Sequence, residues 1–450
     1  RTPMRWIIVG AGSGGCVAAG RLADDPANDV VLVEHGPGLA PGEVPSAIEG
    51  ADFLASFDEA GRLHEGLTAR RGDVSMPYRR GRGIGGSSAV NAMIALRGDA
   101  EQYREWGWDD VDEAWSRLRL PEEHPADAEL GPLDRALLDT DASARRSPLT
   151  RRDRRRVTSA EAYLWPVWDN PNLAVMTEAA VAEILLDGRR ATGVRLADGS
   201  EVAGDRVVVA AGAIHTPWLL ARSGVAIDGI GSGLEDHPAL TLTVELEQPV
   251  AGGLTSAVHS VHGPLQLLAL NRTGTDEVGL RHGALLIGLM QPSGPPGSVR
   301  LAADPDAPPE IELGPLSARR DVDALEAGLR LARDLLGRAA FQEVVREVYV
   351  DDHGTRLAQL GDDRFREWIE TAGTYLHATS TCAMGRVVGS DGAVVGHEAL
   401  YVCDASVFPA VPCVNPHLPT AMLAERLSAR WAPPPEGGAV GRRERRGQME

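Results

Sequence analysis

The chain has 450 residues, 43% hydrophobic and 24% charged, a composition that suits a water-soluble protein of two or three domains with a large core. Its formal net charge of −19 argues against nucleic acid or an anionic membrane surface as a partner. All 45 basic residues are arginine, so Schiff-base chemistry on a lysine is excluded.

Residues 6–9 form a short apolar run that reads as a buried parallel strand. It ends in Gly10-x-Gly12-x-x-Gly15, passes into a helix-like stretch over 17–23 and reaches a second strand over 29–33 that closes on Glu34. That is the spacing of a dinucleotide-binding βαβ unit. Gly10 permits the tight turn and Gly12 lets backbone N–H groups approach a pyrophosphate. Gly15 lets the helix pack close to the strand, and the helix N-terminus faces the negative charge. Glu34 is placed to accept hydrogen bonds from ribose hydroxyls, which favours FAD or NAD over NADP; the motif alone does not choose between those two.

After a turn at 35–38 the chain is irregular to about residue 76. The loop Arg80-Gly81-Arg82-Gly83-Ile84-Gly85-Gly86-Ser87-Ser88 then implies backbone held close to a ligand, and residues 89–94 read as apolar and helix-like. Tyr103, Trp106, Trp108 and Trp115 follow at a spacing that points to core packing. Residues 120–157 are polar and turn-rich, and their basic run at 151–156 reads as a solvated face or local salt bridges. The β pattern resumes at 173–176 and continues through 180–186 and 191–196 as antiparallel hairpins with Asp187-Gly188 and Asp198-Gly199 turns. Residues 206–213 read as a buried strand that returns to the nucleotide-binding sheet. From 237 to 350 strands alternate with one amphipathic helix over 322–336, as in a second domain laid over the first. Residues 432–450 lack an apolar pattern and read as a disordered tail.

No run approaches the roughly 18 apolar residues of a membrane span. Cys16, Cys382, Cys403 and Cys413 show neither CxxC pairing nor zinc spacing, so no metal site is expected. With so few cysteines and a strand beginning near residue 6, a reduced, cytoplasmic protein without a signal peptide is expected.

The second chemical centre is His377-Ala378-Thr379-Ser380-Thr381-Cys382-Ala383-Met384-Gly385, followed by Asp404-Ala405-Ser406 at the end of a strand over 400–402 and by Asn415-Pro416-His417-Leu418-Pro419-Thr420. With these, the sequence resembles the glucose–methanol–choline (GMC) oxidoreductases, FAD flavoenzymes that oxidise alcohols. Further matches are Gly85-Gly86-Ser87-Ser88-x-x-Asn91, Ala211-Gly212-Ala213-Ile214 with Pro217, Leu234-x-Asp236-His237-Pro238 and Gly297-Ser298-Val299-Arg300-Leu301, so they span nearly the whole chain.

The resemblance implies an α/β (α+β overall) architecture. A Rossmann-like FAD-binding domain, in parts at 1–115, 171–236 and 371–431, would carry a discontinuous substrate domain on an antiparallel sheet, at 237–370 with a shortened segment at 116–170. FAD would rest its ADP half on Gly10, Gly12, Ser13, Gly14, Gly15 and Glu34. The loop with Gly85, Gly86, Ser88, Asn91 and Ala92 would lie over the pyrophosphate and isoalloxazine. Val181 would meet the adenine, Asp404 and Ala405 would close the pyrophosphate side, and Asn415 would approach the flavin edge. His377 matches the family's catalytic histidine and His417 its second active-site position; the two read as a pair, with His237 left to packing. Some members tether flavin through a histidine in the Gly-Gly-Ser-Ser loop. This loop has Ala89, Val90 and Asn91, which implies non-covalent FAD.

The chain is short for the family between Trp115 and Thr158 and between Gly224 and Gly233. That compactness, with the 34–38 stretch, is most similar to members associated with the mycofactocin system. The expected partners are a small alcohol and an electron acceptor that is oxygen, a quinone or a mycofactocin-type cofactor. A dehydrogenase is favoured over an oxidase. The same fold also carries hydroxynitrile lyases, and a non-catalytic flavin-binding protein is a third alternative, which retention of both His377 and His417 argues against.

Overall fold

Strands buried on both faces need near-continuous apolar runs, and the chain supplies them to one parallel sheet. In the computed structural model, which describes residues 3–50, 52–304 and 306–431, its order is Leu400–Val402, Arg206–Val209, Met4–Val9, Asn28–Val33 and Leu173–Met176. Every neighbouring pair is parallel. Ile7, Ile8, Leu32, Val207 and Val208 have no exposed surface. The helix Ser13–Ala23 connects the first two strands as a βαβ crossover. Leu173–Met176, read with the hairpins that follow it, instead joins this sheet beside Asn28–Val33. The hairpins themselves form a three-stranded meander, Val181–Asp187, Arg190–Leu196 and Glu201–Ala203. The expected tail from residue 432 lies outside the described residues.

A second, antiparallel layer holds Val345–Tyr349, Pro238–Leu246, His282–Leu289, Leu265–Leu270 and Val258–His262 in spatial order. The helix Arg319–Leu336 covers one face through Leu325, Leu329 and Ala332. A side chain at Gly328 would lie 2.7 Å from Ile287, so glycine sets how close that helix sits. Alternation along the strands turns Gln266, Leu268, Leu270 and Leu286 to the opposite face, towards the parallel sheet. The mixed α/β class with an antiparallel second layer is therefore as expected. Among the described residues no helix is long and apolar enough to cross a membrane, and all four cysteines are free.

One local expectation is corrected and one is refined. Residues 89–94 are not helical: a single 3-10 turn, Gly86–Ala89, is followed by irregular chain. Asn91 Oδ1 accepts the Met93 N–H at 3.0 Å, Met93 sits at φ +63°, and Ile94 bridges Leu149. A local side-chain bond has outcompeted the helix ladder. In the basic run the expected local salt bridges are present, and residues 152–155 are exposed while its two end arginines are not. Residues 151–152 and 155–156 form a tiny hairpin with Asp153 and Arg154 at positive φ, and Arg151 stands opposite Arg156. Both therefore point inward, at 1% and 3% exposure. Arg151 grips buried Glu129 with two hydrogen bonds of 2.7 and 2.9 Å. Arg156 donates to Ile48 O, Ser88 O and Asn91 Oδ1. The aromatics behave as expected: Tyr103, Trp106, Trp108 and Trp115 pack on one another, and Phe408 joins them.

Candidate active site

The carboxyl ends of the parallel strands and the Leu268 face of the antiparallel sheet enclose a cavity of about 780 Å³. Ligands of open α/β sheets bind in that crevice. Three helices begin on its wall: Ser13–Ala23, Gly212–Arg222 and His417–Trp431. Their dipoles favour negative charge there, which Asp404 supplies at the Gly212 N–H.

The crook under the first helix depends on two glycines. Gly10 adopts φ +98° and a Cβ on it would stand 2.6 Å from Ala210 O; a Cβ on Gly15 would stand 1.9 Å from Gly10 O. Gly12 faces open space, with nothing within 4 Å of its virtual Cβ. Glu34, 7% exposed, binds three backbone N–H groups, those of Ala11 at 2.8 Å, Gly36 at 2.8 Å and Gly83 at 3.0 Å. It thus ties the first helix's turn to the Arg80–Ser88 loop.

Most of the sequence-nominated residues converge on the cavity. Gly10, Gly12, Ser13, Gly14, Glu34, Gly86, Asn91, Ala92, Val181, Asp404, Ala405, Asn415, His377 and His417 all line it. Gly15, Gly85 and Ser88 do not, and each has a task behind the wall. Gly15 permits the helix-to-strand approach. Gly85 N donates to Ala11 O at 2.8 Å. Ser88 Oγ donates to Gly85 O and accepts from Ser159 N. Ser87 lines the cavity in their place. Asp404 is fully committed: Oδ2 accepts from Gly212 N at 2.9 Å and from Thr216 Oγ, and Oδ1 from Ser406 N at 2.8 Å. Burial pushes its carboxyl above the ordinary value.

Both histidines of the expected pair line the cavity, each with a hydrogen-bond neighbour of its own. His417 opens its helix rather than lying in a turn; its Nδ1 is 3.2 Å from Ser13 Oγ, and its buried Nε2 has no partner among the described residues. Burial, reinforced by Arg156, lowers its pKa to about 4. His377 is hydrogen-bonded to His237, Nδ1 to Nδ1 at 2.8 Å, and His237 Nε2 is 2.9 Å from Pro412 O. Among the described residues no protein group bonds His377 Nε2. Asp236 holds both backbones, accepting from His237 N at 2.6 Å and His377 N at 2.8 Å, and takes the Tyr78 hydroxyl on its other oxygen. Burial, then the His237 and Arg80 charges, drives the His377 pKa well below 6.5.

The family model of the GMC oxidoreductases matches residues 4–122 and 140–239 with its amino-terminal part and 293–424 with its carboxy-terminal part. The chain belongs to the GMC oxidoreductase family. It is 31% identical to a GMC-type oxidoreductase from the thcA 5′ region of Rhodococcus erythropolis, covering 94% of this chain and 97% of that one. It is 27% identical to the oxygen-dependent choline dehydrogenase of Burkholderia ambifaria MC40-6, over 94% and 92% of the two chains. Among solved structures, pyridoxine 4-oxidase from Mesorbium loti shares the fold with a TM-score of 0.82 at 24% identity, covering 95% of this chain and 99% of that one.

The cofactor of this family is FAD, and the cavity fits it. The helix N-termini and the open backbone at Gly12 suit a pyrophosphate, Glu34 suits ribose hydroxyls, and the orphaned His417 Nε2 is a polar group awaiting a partner. Part of the cavity lining of this GMC oxidoreductase is apolar, with Met93, Ile94, Leu268, Leu270 and Leu286, and Tyr375 lies against the same sheet, its hydroxyl 3.3 Å from Gln266 O. His64 and His215 stack at 4.3 Å on the same cavity, and burial lowers their pKa values to about 2 and about 4.

Sequence reasoning missed the part played by four residues. Arg156 props the loop at Ser88 and Asn91, but its run read as surface. Leu268 and Leu286 carried no motif. His237 was visible only as part of Asp236-His237-Pro238 and read as packing. Glu34→Ala is expected to weaken FAD retention by about 1.5–3 kcal/mol, the range for hydrogen bonds to a charged group, and to lower the melting temperature of the apoprotein because three N–H groups lose their acceptor. Wild-type retention in a fluorescence titration would show that Glu34 serves the turn alone.

Proposed function

We propose that this chain oxidises the CH–OH group of a primary or secondary alcohol, with His377 as general base and FAD held without a covalent bond. The observation that carries the reading is His377 on the cavity wall, with Nδ1 engaged and Nε2 without a protein partner. Bound FAD supplies the acceptor for the hydride that leaves the alcohol carbon. His377 Nε2 takes the hydroxyl proton as the carbon–hydrogen bond breaks, so the product is an aldehyde or ketone. His417 Nε2 is the group that orients the alcohol oxygen. Meanwhile Met93, Ile94, Leu268 and Leu286 exclude water from the reacting atoms. The names of the relatives support an alcohol donor: they include choline dehydrogenases and, among the structural neighbours, a pyridoxine 4-oxidase and an aryl-alcohol oxidase.

The test is an anaerobic panel of alcohols added to purified holoprotein. Bleaching of the flavin band by at least one alcohol supports oxidation; cleavage of a cyanohydrin with the band unchanged would point to lyase chemistry instead. Readmitted air then separates an oxidase from a dehydrogenase that needs another acceptor. Acid precipitation is expected to leave intact FAD in the supernatant, because Ala89, Val90 and Asn91 offer no histidine for a tether. Flavin in the washed pellet would refute non-covalent binding.

A further inference from the structure

We propose that His237 is a positioning residue that fixes the tautomer of His377, keeping its proton on Nδ1 so that Nε2 offers a lone pair to the cavity. This rests on the reading of His377 as the base, and goes beyond it by assigning a task to a second, fully buried ring.

The argument follows the protons. Pro412 O, 2.9 Å from His237 Nε2, is a carbonyl oxygen and can only accept, so Nε2 carries hydrogen. A neutral imidazole has one N–H, which leaves His237 Nδ1 bare. The 2.8 Å contact between the two Nδ1 atoms needs one proton, and only His377 can supply it. Neutral His377 is then protonated at Nδ1 and unprotonated at Nε2, the form a base requires. The geometry is over-determined. Asp236 clamps both backbone N–H groups, Tyr375 N donates to His237 O at 3.0 Å, and the two rings stand at 89° with centroids 5.0 Å apart.

Neutrality is what makes the arrangement work. Burial disfavours charge on both rings, and Arg80 adds to this at His377; Asp236 and the Pro412 and Met290 backbones pull the other way at His237 without offsetting burial, while Tyr78 and Tyr375 stay protonated at neutral pH. Were His237 to gain a proton, its Nδ1–H would force His377 into the opposite tautomer and cover Nε2. When His377 takes the alcohol proton at Nε2, its Nδ1–H remains donated to His237, so no proton has to travel along the chain. The hydride leaves with its electron pair to the flavin, and the carbonyl product keeps the oxygen. Unlike a carboxylate in this position, neutral His237 orients the base without stabilising its cation.

Two variants and one spectrum test this. His237→Phe removes both hydrogen bonds and keeps a ring; His237→Gln keeps a donor and an acceptor. In long-range 1H–15N spectra of 15N-histidine-labelled protein, apo and FAD-loaded, the expected wild-type pattern is Nδ1–H for His377 and Nε2–H for His237. His237→Phe is expected to shift His377 towards Nε2–H and to lower kcat for flavin reduction about 10- to 100-fold, the usual cost of losing the partner behind a working histidine. KM and FAD content should stay near wild type, and His237→Gln should recover most of the rate. An Nε2–H tautomer for His377 in the wild-type spectrum overturns the proposal, and so does a wild-type rate in His237→Phe. If His237→Phe does not fold, the wild-type spectrum and the Gln variant decide. If His377→Ala reduces flavin normally, the base assignment fails, and the spectra still report separately on the tautomer.

Discussion

His377→Ala is expected to slow flavin reduction by alcohol about 10²- to 10⁴-fold, the range for a positioned general base, with FAD still bound. Retention follows from the layout: the helix N-termini at Ser13, Gly212 and His417 and the Glu34 clamp on the Arg80–Ser88 loop do not involve the His377 ring. The pH profile carries a second signature. Burial holds the folded-state pKa of His377 below the ordinary 6.5, so the ring is neutral, and competent as a base, throughout the neutral range. The rate should therefore be flat from about pH 6 to 8, where an unperturbed histidine of pKa about 6.5 would titrate, and fall only in more acidic solution. The same depression makes folding favour the neutral ring, so the native state loses stability as pH falls below the unfolded value of about 6.5, where the unfolded chain takes a proton that the buried ring does not. Stopped-flow reduction at several pH values checks both claims. A wild-type rate in the variant would place the base elsewhere.

The largest expected effect on stability belongs to Arg151→Ala. Arg151 is 1% exposed and Glu129 5%, and the two share paired hydrogen bonds; Arg154 and the Ala126 N–H add support to Glu129. Removing the cation leaves a buried carboxylate with only its weaker partners, a loss of about 3–5 kcal/mol for a broken buried pair. The Arg151 bonds hold the Glu129 carboxyl down to about 2. Since the unfolded value is about 4.3, this contribution is fully present above that pH and fades as pH falls through about 2. Urea unfolding at pH 7 and pH 3 measures it. A change under 1 kcal/mol at pH 7 would mean that water or Arg154 replaces the lost partner.

The contrast between this pair and the nucleotide crook explains what was legible in the sequence. Gly10, Gly12 and Gly15 sit where hydrophobic period switches from strand to helix, so local spacing alone encodes the turn, and Glu34 marks the end of the next strand. Asp187-Gly188 and Asp198-Gly199 announce their hairpins for the same reason: left-handed backbone needs those residues. The burial of Arg151 and Arg156 was not legible because charge runs are usually solvated, whereas here a six-residue hairpin turns its two end arginines inward, Arg151 towards an acid more than twenty positions away and Arg156 towards the loop at Ser88 and Asn91. The contact between His237 and His377 spans 140 positions and arises from strand Pro238–Leu246 pairing with Gly373–Thr374. No local pattern reports such a pairing. The cavity face of Leu268 and Leu286 was hidden differently: alternation shows that a strand has two faces, but only the helix Arg319–Leu336 decides which one is covered. Asn91 lay in an apolar run that favours helix, and its side chain bond to Met93 N settled the matter locally.

Anaerobic single-turnover titration tests the central claim most directly. Holoprotein with one FAD per chain is mixed with a bleaching alcohol, and flavin absorbance and carbonyl product are followed together. The account requires one carbonyl formed per flavin reduced, and a primary kinetic isotope effect on bleaching when the carbinol hydrogen is replaced by deuterium. Carbonyl or cyanide release with the flavin still oxidised, or a flavin band that no alcohol changes, would contradict it.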